Sequence, residues 1–166
     1  MSPTELSYEE LKQEFIDDIK KQPFGALATS DGDNVTNRFM VLISDELTLY
    51  CFTGVDTRKF KQILSNPKVS IATGSLQIDG IAADNGHPLD ESNARFIELF
   101  KEQQPEVYKN HEKTSIPLPS SRVILITPTR IGKWVGDGNV DLLNIAKGKA
   151  YRLAMFGEFQ VPEYYE

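Results

Sequence analysis

The sequence predicts a mainly β chain with helices, an antiparallel barrel of about six to eight short strands with helices on its flanks. Three observations carry this expectation. Short apolar stretches recur along most of the chain and are separated by turn pairs such as Asp31-Gly32 and Gly74-Ser75. These stretches follow one another directly, without the strict strand–helix alternation of a parallel sheet. The length of 166 residues, with 40% apolar residues, suits a single domain over 1–166 with its own core.

The elements follow in order. Ser7-x-x-Glu10 is a capping box, and Leu11, Phe15 and Ile19 recur every fourth residue, so a helix with one buried face begins the chain. Pro23 ends it. Phe24–Ser30, Val35–Ile43 and Leu47–Thr53 then read as three strands of a meander. After Gly54-Val55-Asp56 comes a short helix, capped by Asp56 or Thr57, with Phe60, Ile63 and Leu64 as its apolar face. Asn66-Pro67 stops it. Lys68–Thr73 and Leu76–Ala83 are two more strands. Asp90 opens a second long helix whose inward residues are Phe96, Leu99 and Phe100. Gln103–Ser121 reads as a polar, proline-rich surface crossing. Arg122–Thr127 and Ile131–Val135 are strands, and further strands are expected around Leu142 and over Tyr151–Phe156.

Composition excludes several functions. Eighteen Lys and Arg against 24 Asp and Glu give a net charge of −6, the wrong sign for coating nucleic acid or an anionic membrane. The apolar runs are too short to span a bilayer, and Met1-Ser2-Pro3-Thr4-Glu5 lacks the basic-then-apolar pattern of a signal peptide. One cysteine, Cys51, sits in an apolar stretch; it reads as a buried, unreactive thiol in a reducing cytosol.

Side-chain catalysis has few candidates. HExxH, CxxC, GxSxG and GxxxxGK[ST] are all missing from the sequence. His87 and His111 fall in polar, loop-like contexts and read as solvent-exposed. Two histidines and one cysteine do not supply a dedicated zinc site, so no metal is expected. Glu9-Glu10 and Asp17-Asp18 form a solvated helix face. Hard chemistry in this chain is expected to come from a cofactor.

Two features stand out. Arg38 lies within the strand Val35–Ile43, and a guanidinium there needs a bonded or anionic partner. On the strand alone, an internal Arg–Asp pair, an outward-facing Arg and an anion ligand all remain open. The second feature is Thr53-Gly54-Val55-Asp56-Thr57-Arg58-Lys59, where a helix begins with a hydroxyl and two cations. Cations at a helix N-terminus oppose its dipole unless an anion sits there. Thr57, Arg58 and Lys59 together make a phosphate cradle or, alternatively, a solvated start to a surface helix.

In combination these features resemble the pyridoxamine 5′-phosphate oxidase-like, FMN-binding split-barrel superfamily, roughly from Phe24 to Val135. The resemblance is carried by Phe24-Gly25-Ala26-Leu27-Ala28-Thr29, by Arg38 followed by apolar residues, by Phe52-Thr53 with Thr57-Arg58-Lys59 beyond it, and by Asn66-Pro67-Lys68-Val69. It implies an antiparallel split β-barrel that binds FMN at the interface of a homodimer. Arg38 would contact the FMN phosphate or its ribityl chain. Phe39, Met40 and Val41 would offer backbone groups and an apolar wall to the ring. Phe52 and Thr53 would pack on and hydrogen-bond the flavin, and Thr57, Arg58 and Lys59 would hold the phosphate. Gln77 would reach the cofactor from the partner subunit. Trp134 reads equally as a late aromatic beside the flavin or as a core residue.

The match also departs from the superfamily's oxidases. Their longer C-terminal segment grips substrate with Arg and His, whereas the tail from Ala154 to Glu166 is acidic and aromatic. Ile43 stands where a Lys is expected. Oxidation of pyridoxamine phosphate itself is therefore not the expectation; the chain is more similar to small general-stress or uncharacterised flavoproteins. The expected function is a flavin-dependent oxidoreductase acting on an unidentified small molecule. The alternatives are a flavin carrier or stress module without turnover, or a split barrel that uses deazaflavin or haem.

Overall fold

In the computed structural model, residues 3–155 are described; Met1, Ser2 and residues 156–166 lie outside them. The end of the strand expected at Tyr151–Phe156 and most of the acidic tail fall in that excluded stretch. The chain runs β1 (Thr4–Glu5), α1 (Tyr8–Lys20), β2 (Phe24–Ser30), β3 (Val35–Val41), β4 (Ile43–Asp45), β5 (Thr48–Gly54), α2 (Arg58–Ser65), β6 (Lys68–Thr73) and β7 (Leu76–Asp84). A 3-10 turn (Glu91–Asn93) then leads to α3 (Ala94–Gln103), α4 (Pro105–His111), β8 (Ser121–Gly136), β9 (Asn139–Asn144) and β10 (Lys149–Ala154).

Every strand pairing is antiparallel, in the order β1-β10-β9-β8-β7-β6-β2-β3, with β5 on β8 and β4 on β5. Among the described residues ten strands replace the six to eight expected, because β1 and β4 are too short to leave a pattern in the sequence. The sheet stays open among the described residues, since β3 pairs only with β2, and β1 only with β10.

The split arises at β8. One edge pairs with β7 from Ile124 to Lys133. The other edge is shared in tandem, with β5 on Ser121–Ile126 and β9 on Arg130–Gly136. Thr127, Pro128 and Thr129 lie in the gap between them. A proline offers no N–H and is tolerated where no neighbour needs one. The two strands expected on either side of Pro128 are therefore one 16-residue strand.

The register explains the core. One row of cross-strand neighbours runs Leu27, Ile71, Ile78, Ile131, Leu143, Ala150, and all six side chains are fully buried. α1 covers this face with Leu11, Phe15, Ile16 and Ile19. Lys133 ties α1 down through Glu14 at 2.5 Å and Asp18 at 2.6 Å. A second cluster joins Ile43, Phe96, Leu99, Phe100, Ile116 and Val123 beneath α3 and α4.

Three local expectations change. The strand expected over Val35–Ile43 breaks at Leu42, where the Gln104 side-chain amide donates to Pro23 O at 2.8 Å and Leu42 O at 2.7 Å. Gln103–Ser121 is not an open crossing, because it contains α4 and buries Ile116. In α2 the buried side chains are Phe60, Gln62 and Ile63, while Leu64 is 62% exposed.

Candidate functional site

Arg38 ends the buried row. Its cross-strand neighbour is Leu27, so its stem points toward the core face and its guanidinium emerges at the edge of the sheet. It has no ion pair among the described residues. Neutral oxygens hold it instead. Nη1 donates to Leu27 O at 3.1 Å and to Thr29 Oγ1 at 2.7 Å, and Nη2 donates to Thr36 Oγ1. Neither the internal Arg–Asp pair nor the outward-facing Arg describes it.

Behind the threonines lies Gln62, 1% exposed. Its Oε1 accepts from Thr29 Oγ1 and Thr36 Oγ1, each at 2.6 Å, and its Nε2 donates to Asn34 O at 3.2 Å. Sequence reasoning missed all three residues. The available signal was a glutamine beside Phe60 and Ile63 on a short helix, a polar group where the helix needs apolar ones.

The start of α2 supplies the other cations. Thr57 is the N-cap and accepts from the Phe60 N–H at 3.4 Å. The Thr57 hydroxyl donates to Gly54 O at 2.8 Å, so Thr53 is the donor in the 3.0 Å contact between the two hydroxyls. Lys59 Nζ donates to Thr53 Oγ1 at 3.2 Å. Arg58 is exposed and Lys59 half-buried. α2 has no acidic residue in its first turn and no basic one in its last, whereas α1 has Glu9 and Glu10 first and Lys20 last. The first-turn N–H groups of α2 also lack intrahelical acceptors.

These cations repel one another. Burial first, and the Arg58 guanidinium second, lower the pKa of Arg38 from its ordinary value. Burial first, and Arg38 second, lower that of Lys59. Neither Arg58 nor Lys59 has an ion pair among the described residues. Two partly desolvated cations beside an exposed third, with no carboxylate paired to any of them among the described residues, are an arrangement that an anion would stabilise.

The remaining residues divide by face. Met40 packs on the main core, and Val41 on the second cluster. Phe39 is 81% exposed on the outer side of β3. Phe52 turns away from Thr53, since neighbours on a strand alternate. Its ring meets Phe100 at 5.7 Å and His111 edge-on at 5.2 Å. Gln77 and Trp134 share a separate groove of about 260 Å³ with Gly132 and Leu142. The row through Gln77 contains Phe39, Ala26 and Ala72 and lies on the face opposite Arg38. Within one chain these two residues do not meet the cation cluster. Trp134 is 48% exposed and is not a core residue.

Both histidines are half-buried rather than solvent-exposed. His87 Nε2 donates to Leu118 O at 2.9 Å while Nδ1 accepts from the Leu89 N–H at 3.2 Å. His111 Nδ1 bonds Ser115 Oγ at 2.9 Å.

Residues 11–135 match the family model described as pyridoxamine 5′-phosphate oxidase. The chain belongs to this family. Within the family, a segment of 69 residues is 32% identical to General stress protein 26 of Bacillus subtilis (strain 168), covering 42% of this chain and 49% of that protein. The match thus spans about half the length of that relative. A Listeria innocua protein crystallised as a candidate pyridoxamine 5′-phosphate oxidase shares 27% identity at a TM-score of 0.57, over 73% of this chain and 95% of that one. Campylobacter jejuni ChuZ shares 14% identity at a TM-score of 0.71, over 94% of this chain and 67% of that one. At that identity the likeness shows the split-barrel fold alone. The same fold occurs in HutZ, the haem storage protein from Vibrio cholerae, and in an F420 reductase, at 16% and 21% identity. The fold therefore serves proteins named for haem and for F420 as well as the oxidases. Among the described residues no helix is long and apolar enough to cross a membrane.

Proposed function

We propose that this chain is a single-domain FMN-binding flavoprotein of the reducing cytosol, and a flavin-dependent oxidoreductase acting on a small molecule. One observation carries the reading: Arg38, Arg58 and Lys59 gather without a carboxylate, beside the Thr53 and Thr57 hydroxyls. That donor set fits a phosphate monoester, which takes forked and point-charge hydrogen bonds on separate oxygens.

When bound, FMN supplies hydride or electron chemistry at its ring N5. The protein's part is to hold and orient. Arg38, Arg58 and Lys59 neutralise the phosphate. Thr57 donates to it once its proton leaves Gly54 O. Met40, on the same side of β3 as Arg38, lines the approach to the ring together with the backbone of Phe39–Val41.

A second copy completes the site. Gln77 and Trp134 lie on the face opposite Arg38, so a homodimer is what brings them to the cofactor. Phe39, 81% exposed, and Val35, 71% exposed, sit on the edge strand β3. Val35 also lines a mostly apolar groove of about 520 Å³ with Ala28, Val69 and Ile81, which gives the partner a surface to cover.

The test is the purified protein itself. A flavin absorption spectrum that bleaches with NADH or NADPH and recovers in air supports the reading. A protein that neither carries flavin nor takes up added FMN overturns it. A flavin that stays oxidised with every reductant leaves the carrier and removes the enzyme.

A further inference from the structure

We propose that Gln62 is the positioning residue for Arg38: its buried carbonyl oxygen sets the direction of two threonine hydroxyls, and these hold the guanidinium as a fixed fork toward the flavin phosphate. The inference rests on the FMN reading.

The orientation of the Gln62 amide follows from its partners. Asn34 O can only accept, so the NH2 end must face it at 3.2 Å. Oε1 then faces the threonines. Arg38 can only donate, so Thr29 Oγ1 and Thr36 Oγ1 must accept from it. Their own protons turn to Gln62 Oε1, each at 2.6 Å. The two hydroxyls also lie 3.3 Å from each other, but with both accepting from Arg38, the shorter contacts to Gln62 Oε1 take both of their protons, while Leu27 O remains a second acceptor for Nη1. With the Gln62 acceptor gone, each hydroxyl proton becomes free to rotate toward the guanidinium, and the fork keeps only Leu27 O as a fixed acceptor.

The neutrality of Gln62 matters as much as its position. A carboxylate there would orient the hydroxyls equally well but would also compensate Arg38, leaving less charge for an incoming anion. The amide orients without neutralising. Gln62 is 1% exposed, so it reaches the ligand only through Thr29, Thr36 and Arg38. It lies four residues after Arg58 and three after Lys59, so one short helix provides cations at its first turn and this amide one turn later.

A double-mutant cycle on FMN affinity tests the role. Removing one charge-assisted contact weakens binding by about 10–100-fold, so Arg38→Ala is expected in that range. Gln62→Leu is expected to weaken FMN by about tenfold, within the usual range of coupled neighbours. The Arg38→Ala/Gln62→Leu protein should bind no more weakly than Arg38→Ala alone. If the two losses multiply, Gln62 acts independently of Arg38 and the proposal fails. Thr36→Val repeats the cycle at a half-buried position and decides the matter if Gln62→Leu does not fold. Its loss should likewise vanish in the Arg38→Ala background; a Thr36→Val protein that binds FMN like wild type overturns the proposal. A wild-type protein that does not bind FMN overturns the functional reading and this inference together. Wild-type binding with multiplying losses overturns the inference alone.

Discussion

Burial and the nearby Arg38 guanidinium together hold Lys59 below the ordinary lysine pKa, and neither side chain has an ion pair among the described residues. The positive form of Lys59 is thus disfavoured in the folded, ligand-free chain. Between the depressed pKa and the unfolded lysine value of about 10.4, the unfolded state binds more protons, so stability rises with pH across that window. At neutral pH the penalty is present in full. Lys59→Gln should therefore raise the melting temperature of the ligand-free protein, by no more than about 1–2 °C because solvent screens a half-buried charge. Calorimetry of the flavin-stripped protein checks this, and a lower melting temperature contradicts it.

The same charges should dominate cofactor retention. Arg58→Ala with Lys59→Ala removes two charge-assisted contacts and should weaken FMN by about two orders of magnitude or more. FMN affinity of the wild type should also fall as pH rises through the depressed pKa of Lys59. Equilibrium titration of flavin fluorescence reads both effects. An unchanged affinity in the double variant removes the phosphate assignment.

Cys51 offers a test of the core beneath the site. Burial pushes its thiol up to about 12, against the opposing pull of Lys59 and Arg38. Only the thiolate reacts readily. A thiol reagent at pH 8 should leave the native protein unlabelled and label the denatured chain stoichiometrically. Rapid labelling of the native protein would show that β5 is not packed as described.

Gly80 tests the register of β7 on β8 beside the split. It pairs with Pro128 where the register slips past Thr129 of β8, and a Cβ built on it would lie 2.8 Å from Thr127 O. That contact is with backbone and cannot be relieved by a rotamer. Gly80→Ala should cost about 1–3 kcal/mol by overpacking. Chemical denaturation measures it, and a change under a few tenths of a kcal/mol would contradict the register at the bulge.

Much of the fold was legible because it is written in local signals. Leu11, Phe15 and Ile19 repeat with the helical period, and all three are buried. Phe24–Ser30 and Lys68–Thr73 alternate with the strand period, and their bounds match the observed strands. Pro128 misled because its meaning depends on which neighbours β8 has at that point, a non-local fact. α4 was hidden by Pro105, which reads as a breaker but sits in the first helical turn.

In the site, the cations were legible as a charge pattern that opposes the helix dipole. The threonine and glutamine bonds that hold Arg38 were not, because Thr29, Thr36 and Gln62 meet only after β2, β3 and α2 fold together. Phe39 and Phe52 show the opposite limit: the family resemblance named both, and neither ring faces the cation cluster within one chain.

The most direct measurement is a crystal structure of the protein grown with FMN. The account predicts one phosphate between Arg38, Arg58 and Lys59, with the Thr57 hydroxyl turned from Gly54 O toward it. A phosphate bound elsewhere, with those three side chains paired to carboxylates or spread into solvent, would contradict it.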